Sequence, residues 1–352
     1  MGFSPSPLRI LARPGFGART NPYTSTLYAP LVSAGHTVEE YRWDRAMTGK
    51  WDVVHIHWPE SVFNHTFFEA WLTTEWMLVA LDRARSRGAK VVWTVHNLRA
   101  HERRHEQAEQ HFRDRFFARL DGIVALSEAG LEAARTTYPE LTDVPAWVVP
   151  HPHYRGRYLD TVTREDARRQ LGLSHSGKLI LNFGRVFEYK NVPALFHAVK
   201  QSPGEDWVVI VAGRPRSAEL AEELRSAAAG DPRIRLEFDF IEDARVQLYF
   251  RAADVVVLPY REILNSGTAL LALSFDRPVL LPRAGAGEEL VKRVGDAWVF
   301  TYDGELDAGD VRGALQRGAQ LPERTAGEHL ERYSHEAVGE EMLKAFREVV
   351  SR

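Results

Sequence analysis

Residues 183–196, FGRVFEYKNVPALF, hold the side chains best suited to chemistry. Gly184 closes an apolar run, KLILNF, and the residues beyond Asn191 read as a helix. A glycine at a strand end lets backbone approach a ligand closely. Helix N-terminal amides attract anions, and Arg185 and Lys190 add two cations beside them. Cations at a helix start oppose its dipole, so the pair asks for an anionic partner, and a diphosphate suits it. The plain alternative is a helix start with surface cations.

Other candidates lie where apolar runs end. His96 closes VVWTVH, and His57-Trp58-Pro59-Glu60 follows VVHI. Glu60 is a candidate base for a hydroxyl, or a ligand for one, with loop packing by Trp58 as the alternative. Asn265-Ser266-Gly267-Thr268 stands at an expected helix start, where amides and hydroxyls receive phosphate or sugar oxygens or simply cap the helix. Gly15 and Gly17 follow the first apolar run but supply only two glycines of the dinucleotide fingerprint. His101-Glu102-Arg103-Arg104-His105 fits the zinc-protease pattern H-E-x-x-H, but no third ligand has recognisable spacing downstream, so a solvated helix is the expectation. Phe63, Phe67, Phe68, Trp71 and Trp76, followed by Arg83, Arg85 and Arg87, suggest an amphipathic helix. Core packing and peripheral membrane contact through 63–87 are both open to it.

The elements that position these groups alternate. Strands are expected at 8–12, 53–57, 91–95, 122–126 and 146–149, with helices between, including 66–87 and 101–119. After HPHYRGRY the alternation restarts, with strands at 178–183, 207–212, 233–238, 254–258, 278–281 and 297–300. The expected fold is α/β: two doubly wound, parallel-sheet, Rossmann-like domains facing across a cleft. Residues 1–153 form the first domain and 154–334 the second, and a last helix in 335–352 folds back on the first.

The second half resembles the retaining GT-B glycosyltransferases of family 4, a group with phosphatidylinositol mannosyltransferases and many bacterial polysaccharide enzymes. Arg185 and Lys190 fall on the cations of that family's Gly-Arg-x4-Lys-Gly turn, with Asn191 where Gly is usual. The resemblance continues through AGRP (212–215), FIEDARVQLYFRAADVVVLPY (240–260) and RPVLLPRAGAGEELV (277–291), where Pro278 and Glu289 match. The family's Glu-x7-Glu pair does not carry over. Its second position falls on Leu271 and its first on Ile263, one step from Glu262.

The resemblance implies transfer of a sugar from a UDP- or GDP-sugar to the hydroxyl of a glycan or lipid-linked glycan, with retention and with neither metal nor cofactor. Arg185 and Lys190 would hold the diphosphate. Asn265 to Thr268 would hold phosphate or sugar oxygens, and Glu289 the ribose. Gly15 and Gly17 would approach the diphosphate, His96 would support the reacting sugar, and Glu262 is the nearest carboxylate to the missing first Glu. The broken pair keeps inversion open, with Glu60 or Glu102 as base. A sugar-nucleotide epimerase, a zinc hydrolase and a non-catalytic sugar-nucleotide binder are the remaining readings.

Composition fits this picture. The 352 residues exceed one ordinary core and, at 44% apolar and 26% charged, read as globular. A net charge of −3 gives no argument for nucleic acid. With no cysteine, thiol catalysis and disulfides are excluded. No leader and no apolar run of membrane-spanning length stands out, so a cytoplasmic protein is expected, with peripheral contact at the inner membrane face still open.

Overall fold

The structure, a computed structural model, describes residues 6–17, 22–64, 66–98, 106–174, 176–261, 263–321 and 326–352. The chain divides into two compact units, Met1–Pro152 with Arg332–Arg352, and His153–Glu331.

The first unit is built on β1 (Arg9–Arg13), β2 (Thr37–Glu40), β3 (Val53–Ile56), β4 (Lys90–Val95), β5 (Gly122–Ala125) and β6 (Ala146–Val148). They form one parallel sheet in the order β2-β1-β3-β4-β5-β6. The inner strands are buried along their length, as a sheet covered on both faces requires. Helix Pro22–Ser33 and the last helix, His335–Val350, cover one face through Tyr28, Leu31, Val338, Met342 and Phe346. Gly339 lets these two helices close, since a β-carbon there would stand 2.7 Å from Pro30 Cβ.

The second unit carries β7 (Lys178–Phe183), β8 (Trp207–Ala212), β9 (Ile234–Glu237), β10 (Val255–Val257), β11 (Val279–Pro282) and β12 (Val299–Tyr302). Their order is β12-β11-β10-β7-β8-β9, again all parallel. The two sheets are those expected from the alternation.

Each sheet has a place where successive strands run off to opposite sides. In the first it lies between β1 and β3, in the second between β7 and β10. Ligands of open parallel sheets bind beyond the carboxyl ends of such strands.

Three local features differ from expectation. Strand β2 and the short helix Trp43–Thr48 had no sequence signal. β2 is an edge strand of sequence TVEE, half exposed, so it lacks the apolar run that marks its neighbours. The expected helix at 101–119 is described from Glu106 to Phe117, and His101 to His105 lie outside the described residues. The aromatic stripe is split: Phe63 is core, but Phe67, Phe68, Trp71 and Trp76 are 44–68% exposed.

Candidate functional site

The second unit gathers polar groups at its β7/β10 crevice. β7 ends at Gly184, whose φ of +98° is a conformation side chains rarely adopt. The turn is pinned by the end of β8, where Gly213 sits so close that a β-carbon on it would lie 2.3 Å from the Gly184 carbonyl oxygen. Val186 then donates its amide to Arg214 O at 3.0 Å and Arg216 its amide to Val186 O at 2.9 Å. The AGRP segment therefore holds the Gly184 turn from below. Asn191 begins helix Val192–Lys200 with φ +50°. Asn is among the few residues that visit this region at low cost, which accounts for its replacing glycine.

Lys190 is buried at 7% exposure. Its ammonium lies 5.5 Å from the Tyr260 ring centroid, and among the described residues no carboxylate is within ion-pair distance. Burial lowers its pKa, with Tyr189 opposing. A β-carbon built on Gly184 would stand 3.6 Å from both Lys190 Nζ and Thr268 Oγ1, so the open side of the glycine faces these two groups. Tyr260, three residues past β10, is buried, and burial pushes its pKa up to about 12, with the Thr268 and Ser266 hydroxyls opposing. Ser266 also caps helix Gly267–Ser274, accepting the Ala269 amide at 3.1 Å. Arg185 is exposed, with its guanidinium 5.0 Å from the Phe187 ring centroid. Gly184, Lys190, Ser266, Gly267 and Thr268 thus come together with Tyr260, which sequence reasoning passed over as the end of an apolar run.

Leu271 is 7% exposed and packs inside. The position that would carry a ribose carboxylate is core here. Glu289 lies in the first turn of helix Ala286–Val294 and is ion-paired with Arg293. Asn265 is half-buried before the cap. Glu262 lies outside the described residues, as does Glu102.

The first unit carries a second polar cluster beyond β3 and β4. His55, within β3, and His57 and His96, just past the ends of β3 and β4, are 0%, 1% and 6% exposed. Their ring nitrogens join one chain. Thr94 Oγ1 is 2.7 Å from His55 Nε2, and His55 Nδ1 is 2.7 Å from the Tyr28 hydroxyl. That hydroxyl is 2.8 Å from His57 Nε2, and His57 Nδ1 is 3.0 Å from His96 Nε2. Trp58 stacks on His96 at 4.2 Å, and the Tyr23 ring meets His96 and His151 at 4.7 Å each. Desolvation lowers all four histidines, His55 to about 3 and His151 to about 4, so they are neutral at pH 7. Of these four, sequence reasoning gave a role to His96 alone and noted His57 only in the stretch leading to Glu60. The others share the signal of a histidine in or beside a buried strand, and only packing shows that they connect.

Glu60 accepts a hydrogen bond from Asn97 Nδ2 at 2.9 Å, beside Phe63, Trp93 and Phe112. Burial pushes its carboxyl up to about 7, against the opposing pull of Asn97. That is the range in which a general base works best near neutrality. Gly15 donates its amide to Glu40 Oε2 at 2.8 Å, and a β-carbon on it would stand 2.8 Å from Glu40 Cα. Packing against β2 thus accounts for this glycine, whereas Gly17 faces open space. Among the described residues no group of three His, Asp or Glu side chains is placed to hold a metal ion.

Comparison with known proteins agrees with this geometry. The family described as Glycosyl transferases group 1 matches residues 177–309. A GDP-mannose:glycolipid 4-beta-D-mannosyltransferase of Xanthomonas campestris pv. campestris is 30% identical over 306 residues, covering 87% of this chain and 82% of the relative. The lipopolysaccharide core biosynthesis mannosyltransferase LpsB of Rhizobium meliloti is 31% identical over 183 residues, 49% of this chain and 48% of that one. Among solved structures, Anabaena Alr3699/HepE in complex with UDP-glucose superposes with a TM-score of 0.71 at 14% identity, covering 97% of this chain and all of that one. Sucrose-phosphate synthase of Thermosynechococcus elongatus superposes with 0.70 at 17% identity, covering 98% and 99%.

Proposed function

The chain belongs to the group 1 glycosyltransferases of the GT-B fold, and we propose that it moves a hexosyl group, with mannose from GDP-mannose as the leading candidate, to a hydroxyl of a glycolipid with inversion at the anomeric carbon. The observation that carries this reading is Lys190: a buried ammonium with no carboxylate in ion-pair range among the described residues, facing Gly184 and Thr268 at the β7/β10 crevice. A buried charge is costly unless paired, and a diphosphate supplies the pair. Arg185, Lys190 and the amides at Gly267 and Thr268 hold the diphosphate and stabilise the charge it takes on as the glycosidic bond breaks. Ser266 caps the helix whose first turn carries Thr268.

Two features favour inversion over the retention that the family 4 resemblance implies. Leu271 is core, so the family's carboxylate pair is absent. Glu60 has the pKa of a base for the acceptor hydroxyl. The Xanthomonas relative is named for a β-linked product, and GDP-mannose carries its mannosyl group in the α configuration, so the two together require inversion. In this mechanism Glu60 takes the acceptor proton as its oxygen attacks the anomeric carbon and the diphosphate leaves on the opposite face. His96, neutral and held by His57, lends hydrogen bonding to the sugar as oxocarbenium character develops.

The test is incubation with GDP-mannose and a polyprenyl diphosphate-linked glucoside, with the product's anomeric configuration read by NMR. A β product with GDP release is expected. An α product removes Glu60 as base, and thermal shift with UDP-sugars but not GDP-sugars reassigns the donor.

A further inference from the structure

A cavity of about 680 Å³ opens in the first unit beside the end of β1, where the Arg13 carbonyl accepts the His57 amide at 2.9 Å. Tyr41, Trp43, Leu72, Trp76 and Met77 line it together with Arg13. The Arg13 guanidinium donates to the Met77 sulfur at 3.0 Å and lies 5.9 Å from the Tyr41 ring centroid. Among the described residues no carboxylate is in ion-pair range of it. Burial holds its pKa below the usual arginine value, with Tyr41, Glu40 and Glu60 opposing. The Tyr41 hydroxyl is buried without a hydrogen-bond partner. Among the described residues the side chain donates only to a thioether, which serves a buried cation poorly, since sulfur is a weak acceptor.

The rim of this cavity is as unusual as its interior. Helix Phe67–Ser86 buries Ala70, Thr74, Met77, Leu78, Ala80, Leu81 and Ala84, and it also turns large apolar residues outward, Phe67, Phe68, Trp71, Leu72, Trp76 and Val79. Trp43 is 62% exposed beside Trp76, their ring centroids 6.4 Å apart. Part of its outer face is thus apolar where a water-facing helix would be polar, and it begins at a Thr66–Glu69 capping box, so the helix is firmly started. Tryptophan and phenylalanine settle at the boundary between lipid headgroups and acyl chains. Of the arginines nearby, Arg42 pairs with Asp44 and Arg85 with Asp121, while Arg83 and Arg87, exposed at the end of the helix, supply charge that anionic headgroups attract. No described helix is long and apolar enough to cross a membrane.

We propose that this face seats on a bilayer and that the cavity takes the phosphate of an anionic lipid, held by Arg13 between the Trp43 and Trp76 rings. This rests on the glycolipid acceptor of the proposed function, and names the part of the acceptor that the first unit grips. The aromatic rim enters the interface, the phosphate pairs with Arg13, and the sugar end of the lipid is left outside the cavity.

Sedimentation of the full chain with phosphatidylcholine vesicles, with and without phosphatidic acid, tests it. The wild-type protein is expected to bind the acidic vesicles about tenfold more tightly. Arg13→Gln should lose that preference while keeping weak binding to both, and Trp43→Ser with Trp76→Ser should weaken binding to both. Equal binding of the wild type to the two vesicle types overturns the proposal. So does inorganic phosphate that stabilises the protein as strongly as the vesicles do, which would make the cavity a site for a free anion. Should Arg13→Gln fail to fold, quenching by brominated lipid, measured as the difference between the wild type and Trp76→Phe, decides: quenching of Trp76 is expected, and its absence overturns the proposal. A GDP-induced thermal shift on the same samples separates the two readings. Lipid preference without the shift sinks the donor assignment alone, and the shift without lipid preference sinks this one alone.

Discussion

His57 Nδ1 and His96 Nε2 stand 3.0 Å apart, so one of two neutral rings must donate and the other accept. The Tyr28 hydroxyl imposes the same choice on His55 and His57. A neutral imidazole has one proton, so each choice fixes the next. The whole chain therefore has two orders. In one, His96 donates to His57 and presents a bare Nδ1. In the other, every donor is reversed and His96 presents Nδ1–H. The tautomer of His96 is thus coupled to the donor or acceptor role of Thr94, four hydrogen bonds away.

Tyr28→Phe breaks this chain while keeping the ring. It leaves His55 Nδ1 and His57 Nε2 buried without their partner, which costs about 1–3 kcal/mol of stability. Turnover should fall about tenfold with the donor KM little changed, because Tyr28 acts through His57 and His96 and touches no substrate. His96→Ala should lower kcat by roughly a hundredfold. A Tyr28→Phe enzyme with unaltered kcat and an unaltered pH profile would show that the chain only fills the core.

Acid should destabilise the first unit. Folded-state pKa values of about 3 for His55 and about 4 for His151 lie below the ordinary unfolded value near 6.5. The unfolded chain then binds more protons, so stability is complete above about pH 6.5 and is lost as pH falls toward 4. At pH 5 each of these two histidines costs roughly 2 kcal/mol, and His57 and His96 add in the same direction. Glu60 acts oppositely, its raised carboxyl favouring the fold more as pH falls from 7 toward 4.5. Four groups outweigh one, so Tm should drop between pH 7 and pH 5 in calorimetry. Replacing His151 by Gln should flatten the slope.

The activity profile should carry Glu60. With its carboxyl near 7, kcat/KM rises through neutrality to a plateau above about pH 8. Glu60→Gln, which can still pair with Asn97, should remove that rise and lower kcat by about a hundred- to a thousandfold. A variant that keeps the wild-type profile would assign the ionisation elsewhere.

Lys190→Met should separate stability from function. It removes a buried, unpaired charge and keeps the volume, so Tm should hold or rise. Donor binding should collapse, with the thermal shift by GDP lost and kcat/KM down by about a hundredfold or more. A Tm that falls sharply while GDP binding persists would make Lys190 a structural residue.

The glycines of the second unit differ in their tolerance. Gly213→Ala would drive a β-carbon to 2.3 Å from the Gly184 carbonyl oxygen and should cost more than about 3 kcal/mol. Gly184→Ala meets only atoms at 3.6 Å, and its cost is mainly the positive φ, about 1–2 kcal/mol. Asn191→Gly should be neutral within about 0.5 kcal/mol, whereas Asn191→Val should cost about 1–2 kcal/mol. Urea titrations of the four variants check this order.

Both sheets, and all but one of the strands in them, were legible in the sequence, because strands buried on both faces must be written as apolar runs and nothing else in a soluble chain writes them so regularly. β2 was not, since an edge strand half in water can be TVEE. The turn at Gly184, Arg185 and Lys190 was legible from its charges, which oppose the helix they precede. That Asn191 could replace glycine depends on a backbone angle, and that Thr268 faces Gly184 and Tyr260 faces Lys190 depends on strand order, which bonds β10 to β7 across more than seventy residues. Burial alone decided which histidines lost their charge and which aromatic face stayed outside. The sequence determined the repertoire of groups, because residue type fixes what a side chain can donate, accept or ionise. Tertiary structure decided which of them are desolvated, paired or left waiting for a ligand, because those properties belong to neighbours that come from distant parts of the chain.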